Sequence, residues 1–172
     1  MEMADLPLLQ RWLTENQLVK DIYAHGRGIP FQEVVAKYAP RIRGETPTTP
    51  YLILYGEKPI GYIQTYLWRD YPDYSDHLGL KEEAASIDLF IGEEEYLHKG
   101  LGAPLMREFL RKYVFGDAAV QSCVVTPEVR NESALRAYVR AGFKQVCTME
   151  HPDEPGPICV IRMGREDLAP PG

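Results

Sequence analysis

The sequence has little with which to cross-link itself, span a bilayer or hold nucleic acid. Its 172 residues include three cysteines, Cys123, Cys147 and Cys159, far apart and without C-x-x-C spacing. That pattern builds neither a disulfide framework nor a structural zinc site, and free thiols in a cytoplasmic protein are the expectation. No run approaches the ~18 apolar residues of a membrane span. No basic segment leading into an apolar one opens the chain, so neither a signal peptide nor membrane insertion is expected. A basic excess is missing too: 25 Asp and Glu outnumber 19 Lys and Arg, for a net charge of −6. Nucleic acid and anionic membrane are therefore not expected as partners, and a cationic partner is. Histidine is scarce, with His25, His77, His98 and His151 scattered and in no ligand spacing, so no metal is expected. Repeats and low-complexity tracts are absent.

What is present suits one globular domain over residues 1–172, with 45% hydrophobic and 26% charged residues. Asp5 can cap a helix whose apolar residues Leu6, Leu9, Trp12 and Leu13 recur at helical spacing. A second helix is predicted from Phe31 to about Ala39, stopping near Pro40. The period then changes to that of strands. Tyr51–Tyr55 and Ile60–Trp68 flank a Gly-Glu-Lys-Pro turn and read as a hairpin, and residues 69–83 read as a long loop. Ala85–Ile91 is a further strand. Leu101, Leu105, Met106, Phe109, Leu110 and Tyr113 then form the buried stripe of a helix ending near Gly116, with Pro104 tolerable in its first turn. Val120–Thr126 is a strand, Asn131–Ala141 a helix with Gly142 at C′, and Phe143–Met149 with Ile158–Met163 a closing hairpin. This order predicts an α/β (α+β) fold, a mixed sheet with helices on both faces.

The stretch FIGEEEYLHKGLGAPLM, residues 90–106, sets three glutamates before a G-x-G turn that opens a helix. Free N–H groups and the positive end of the helix dipole make such a turn an anion site. Leu105 replaces the third glycine of a dinucleotide fingerprint and no G-K-[ST] follows, which excludes the two commonest nucleotide loops. A plain turn that needs glycine for its backbone angles fits the spacing equally well.

Resemblance adds what spacing leaves open. SIDLFIGEEEYLHKGLGAPLMREFL followed by TPEVRNESALRAYVRAGF resembles the GNAT N-acetyltransferase superfamily, whose downstream signature is matched by Asn131, Ala134, Tyr138, Gly142 and Phe143. Within it the chain looks most like aminoglycoside 6′-N-acetyltransferases. That likeness rests on Ile87-Asp88, Tyr96, Lys99-Gly100-Leu101-Gly102, and Pro59-Ile60-Gly61-Tyr62 with Gln64, and extends from about Asp5 to Met163. It implies a GNAT fold and an acetyl-CoA-dependent N-acetyltransferase giving antibiotic resistance, with a small cationic amine as substrate. The family's first strand looks absent or truncated at the start of this chain. Monomer and homodimer stay open.

By the same resemblance, residues His98, Lys99, Gly100, Leu101, Gly102 and Ala103 hold the pyrophosphate. The backbone of Leu89, Phe90 and Ile91 pairs with the pantetheine arm, and Asn131 and Ala134 contact the cofactor. Glycine commonly occupies the place of His98. An amine titrating near pKa 10.4 is neutral in only about one molecule in 10³ at pH 7, a handicap of about 4 to 5 kcal/mol. Asp88 is the matching carboxylate. With an ordinary pKa it would take the proton of a free ammonium at a cost of about 9 kcal/mol, so its work is to orient the amine and accept the proton during attack. Tyr138 would give a proton to the leaving thiolate; a core tyrosine beside Leu135 and Val139 is the alternative, as a helix cap is for Asn131.

Between Asp70 and Glu95 nine acids face one lysine, a local charge of −8 that leaves +2 for the rest of the chain. Such a surface would steer a polycation, with Asp70, Asp73, Asp76, Tyr66, Trp68 and Thr126 as candidate substrate contacts, and Tyr71 and Tyr74 beside them. Thr126 stands where the aminoglycoside enzymes usually have Asp, Leu89 where they often have Gln, and Leu97 where the superfamily has Arg or Gln. Another polyamine, an amino acid or a peptide amine is therefore the alternative substrate.

Overall fold

The computed structural model describes residues 1–24 and 26–168; His25 lies outside them. The elements are helices α1 (Leu6–Glu15), α2 (Gln17–Tyr23) and α3 (Phe31–Ile42), strands β1 (Thr49–Tyr55) and β2 (Lys58–Leu67), helix α4 (Pro72–Leu78) and strand β3 (Ala84–Ile91). There follow α5 (Gly102–Phe109), a π-helical turn (Leu110–Val114), β4 (Ser122–Val125), α6 (Glu132–Ala141), β5 (Lys144–Met149) and β6 (Ile158–Gly164). Six strands form a mostly antiparallel sheet in the order β1-β2-β3-β4-β6-β5, flanked by helices. The mixed α/β expectation is met. Among the described residues none before Thr49 is in a strand.

The chain forms two compact units, one from Met1–Thr65 with Asp88–Lys99, the other from Tyr66–Ile87 with the chain from Gly100 onward. In the first, the α1 stripe Leu6, Leu9, Trp12 and Leu13 is buried with Val34, Tyr38, Tyr62 and Phe90. Gly92 is dictated by this packing: a Cβ there would lie 2.2 Å from the Trp12 ring. The Gly92 carbonyl accepts from Asn16 Nδ2 at 3.0 Å, and Asn16 Oδ1 in turn caps α2 by accepting from Val19 N. Trp12 Nε1 donates to Glu93 at 2.9 Å.

In the second unit Trp68, Ala84, Val124, Ile158 and Val160 form a core covered by Tyr66, Tyr71, Tyr74 and Leu78. The parallel β3–β4 ladder covers Ala84 with Ser122 and Ala85 with Cys123, while β6 runs antiparallel to both β4 and β5. Arg107 on α5 donates to the Ala141 carbonyl at the end of α6, at 2.8 Å.

Several elements differ from the sequence expectation for local reasons. Asp5 does not cap α1; its carboxylate accepts from Glu2 N at 2.7 Å and closes a 3₁₀ turn over Met3–Asp5. Helix α3 runs through Pro40 to Ile42. Pro40 stands in the last turn, where one lost N–H is tolerable, and Arg43 N still reaches the Ala39 carbonyl at 3.0 Å. Gln17–Tyr23 is an additional helix, and the expected loop over 69–83 contains α4. The π turn, closed by Phe115 N on the Leu110 carbonyl at 2.7 Å, shifts the helical phase by one residue. Val114 is therefore buried and Tyr113 exposed.

Candidate active site

Asp88 lies in the second half of β3, half-buried, in the first unit. The side chain of Gln64, on β2, donates from Nε2 to Asp88 Oδ2 at 2.6 Å. Gln64 Oε1 accepts from Tyr62 OH at 2.6 Å and from Arg41 Nη1 at 2.7 Å. Burial pushes the Asp88 carboxyl above its ordinary value, while Gln64, Arg41 and Lys37 pull it down without overcoming burial. The ordinary carboxylate assumed from sequence is corrected: Asp88 is a stronger base than that. Around it, burial also raises the phenols, Tyr38 to about 12 and Tyr23 and Tyr62 further, so all three stay neutral at physiological pH.

Beside this network, α2, α3 and the segment between them line a cavity of about 480 Å³ with Tyr23, Arg27, Ile29, Glu33, Lys37 and Tyr38. Arg27 pairs with Glu33 at 3.1 Å, whereas Lys37 is exposed and has no ion pair among the described residues. Sequence reading missed Lys37, Arg41, Tyr23 and Tyr38. They carry no motif and are brought to Asp88 only by the packing of α3 and α2.

The turn before α5 contains two residues in the left-handed region. His98 takes φ 58°, left-handed for a residue with a side chain, and Gly100 takes φ 73° with open space where a Cβ would stand. Such a φ favours glycine, and histidine is among the side-chain-bearing residues that tolerate it. His98, Lys99 and Gly100 are exposed, with Leu101, Gly102 and Ala103 half-buried after them. Leu101, at the N-cap of α5, offers no side-chain acceptor to the first N–H groups of the helix. Lys99 Nζ sits 5.2 Å from the Tyr96 ring centre. In β3, the Leu89 carbonyl accepts from Tyr23 OH at 2.7 Å, Phe90 is buried and Ile91 half-buried.

Asn131 is the cap of α6, its Oδ1 accepting from Ala134 N at 3.1 Å. Tyr138 is 7% exposed and meets Phe143 edge to face at 5.1 Å, with Gly142 in the left-handed C′ position at φ 106°.

The acidic stretch divides into two kinds of carboxylate. Glu82 holds Arg162 and Ser122, Glu83 holds Arg69, Glu93 holds Arg11 and Trp12, and Glu95 holds Lys58. Burial pushes the Glu93 carboxyl up, but the bonds from Trp12 and Arg11 outweigh it and leave the group below its ordinary value. Asp70, Asp73, Asp76 and Glu94 are exposed and make no ion pair among the described residues. Trp68 belongs to the core: it is 4% exposed and donates from Nε1 to the Val124 carbonyl at 3.0 Å. Tyr66 covers it edge to face. Tyr74 OH bonds to Thr126 Oγ1 at 3.1 Å and donates to Glu154 at 2.9 Å, and its ring stacks on His151 at 3.7 Å. His77 and His151, far apart in sequence, meet at 5.0 Å. Among the described residues no group of His, Cys, Asp and Glu is arranged for a metal.

The Acetyltransferase (GNAT) domain family matches residues 2–151. This chain belongs to the GNAT acetyltransferase family. It is 28% identical over 151 residues to the aminoglycoside N(6′)-acetyltransferase type 1 of Klebsiella pneumoniae, covering 88% of this chain and 75% of that one. Its fold superposes on the crystal structure of the aminoglycoside acetyltransferase AAC(6′)-Ib in complex with coenzyme A and kanamycin. The TM-score is 0.85, with 27% identity over 98% of this chain and 94% of that one. The same enzyme with paromomycin and acetyl-CoA gives 0.86, at 27% identity over 98% and 92%.

Proposed function

We propose that this GNAT protein is a single acetyltransferase domain that transfers acetyl from acetyl-CoA to the 6′-amine of an aminoglycoside, and so confers resistance. The observation that carries the reading is Asp88, a half-buried carboxylate with raised proton affinity in a defined hydrogen-bond network. The names of the relatives supply the substrate class. Acetyl-CoA, when bound, supplies a thioester as acyl donor. The uncapped α5 N-terminus with the left-handed His98 and Gly100 fits its pyrophosphate, and the backbone of Leu89–Ile91, beyond the short β3–β4 ladder, its pantetheine arm.

In this reading Asp88 Oδ orients the amine and accepts its proton as attack acidifies the nitrogen, and Tyr138 OH supplies a proton to the departing thiolate. Asp73 and Asp76, at i, i+3 on α4, draw the polycation in. The exposed free thiol of Cys147 fits a reducing, cytoplasmic setting. Among the described residues no helix is long and apolar enough to cross a membrane. Kanamycin-dependent thiol release from acetyl-CoA is the expected result, falling by about 10² to 10⁴ in Asp88→Ala. No turnover with any aminoglycoside overturns the reading.

A second reading is favoured by Lys37 and Arg41 beside Asp88 and by Thr126 being tied to Tyr74. Two cations there suit an acceptor that carries its own carboxylate, an amino acid or peptide amine, and faster turnover of these than of kanamycin selects it.

A further inference from the structure

We propose that Arg41 is a positioning residue for the proton transfer: by donating to the Gln64 carboxamide oxygen it fixes the amide so that its N–H holds the Asp88 carboxylate ready to accept a proton. Gln64 is buried, and its three polar contacts at 2.6 to 2.7 Å leave one satisfied orientation. Turned by half a rotation, the amide would set its NH₂ against Arg41 and its oxygen against a carboxylate. Tyr62 could adapt, because a hydroxyl both donates and accepts. A guanidinium only donates, whatever the protonation state of Asp88, so Arg41 keeps the amide N–H towards Asp88 even when that carboxyl carries the proton and no longer holds the orientation itself.

Arg41 is itself held over the Tyr38 ring at 5.1 Å and makes no ion pair among the described residues. The groups facing Asp88 are Tyr23 from α2, Lys37, Tyr38 and Arg41 from α3, and Tyr62 and Gln64 from β2. The tyrosines are neutral, which leaves Lys37 and Arg41 as the charges that offset burial. Of these only Arg41 is hydrogen-bonded into the network.

The inference rests on the reading of Asp88 as proton acceptor, and two measurements on the full chain separate them. The Asp88 carboxyl is titrated by ¹³C NMR in the free protein, and kcat/KM for kanamycin is followed against pH. In Arg41→Met both the carboxyl midpoint and the acidic limb should rise by about one pH unit, since an opposite charge is lost beside a buried acid. Arg41→Lys, which keeps the charge without the planar fork, should fall between. If Arg41→Met loses its circular dichroism, Arg41→Gln carries the same readout. An unmoved midpoint overturns the relay while leaving kanamycin turnover standing. A midpoint that moves without the acidic limb shows that Asp88 is not the proton acceptor and overturns the proposal too.

Discussion

Asp88 is costly to hold ionised, and the cost has a sign that can be measured. Its folded pKa lies above the unfolded value because burial outweighs Gln64, Arg41 and Lys37. Above an ordinary carboxylate pKa of about 3.9 the unfolded chain has lost this proton while the folded one still keeps it. Stability therefore falls as pH rises from there to the raised folded value, and then levels. Asp88→Asn keeps an oxygen for Gln64 and has no charge to bury. Thermal denaturation between pH 4 and 8 should show the Asn variant gaining on wild type through that window, with acetyl transfer lost. A gap that stays flat, or closes, contradicts the assignment. At this scale the sequence displayed Asp88 and Gln64 through resemblance alone. It concealed Arg41 and Lys37, because what makes them matter is the helix face that meets β2 and β3, not any local pattern.

Helix α4 is the element the sequence showed least. PDYSDHLG has only Tyr74 and Leu78 as apolar anchors, too few to establish a period in seven residues. Pro72 at the first helical position and Gly79, at φ 63° beyond the end, were the available signals. The longer elements were legible for the opposite reason: α1 buries four residues at helical spacing, and Gly142 and the turn formers of residues 151–157 bound the strands of the closing hairpin. The candidate site followed the same division. The α5 turn and the α6 cap were readable as motifs, whereas Trp68, expected to face substrate, is consumed by the Val124 carbonyl. Because α4 is exposed and acidic, the double variant Asp73→Asn, Asp76→Asn should raise the kanamycin KM several-fold at low salt and flatten its salt dependence, with kcat and the acetyl-CoA KM unchanged. Steady-state kinetics between 20 and about 300 mM NaCl check this against a Debye length that shrinks to below ~8 Å over the range. Equal KM values at low salt assign the acidic face to solvation alone.

Each of the two compact units is discontinuous in sequence. The first needs Asp88–Lys99 to complete itself: Phe90 fills its core, and residues 89, 92 and 93 receive bonds from Tyr23, Asn16 and Trp12. A fragment of residues 1–65 should therefore be unfolded by circular dichroism and amide dispersion, despite containing three helices and most of a hairpin. A cooperative thermal transition in that fragment would show the return segment to be dispensable. The charge balance was legible at this scale as a total and a location. Its use was not, since five of the nine acids turn out to serve internal partners. Trp12 and Gly92 extend the same dependence into the history open to the chain. With 2.2 Å between the indole and any Cβ at position 92, a side chain can be acquired there only after the tryptophan has been replaced by something smaller. Divergence at these two sites has an obligatory order, and each fixes the substitutions the other can accept.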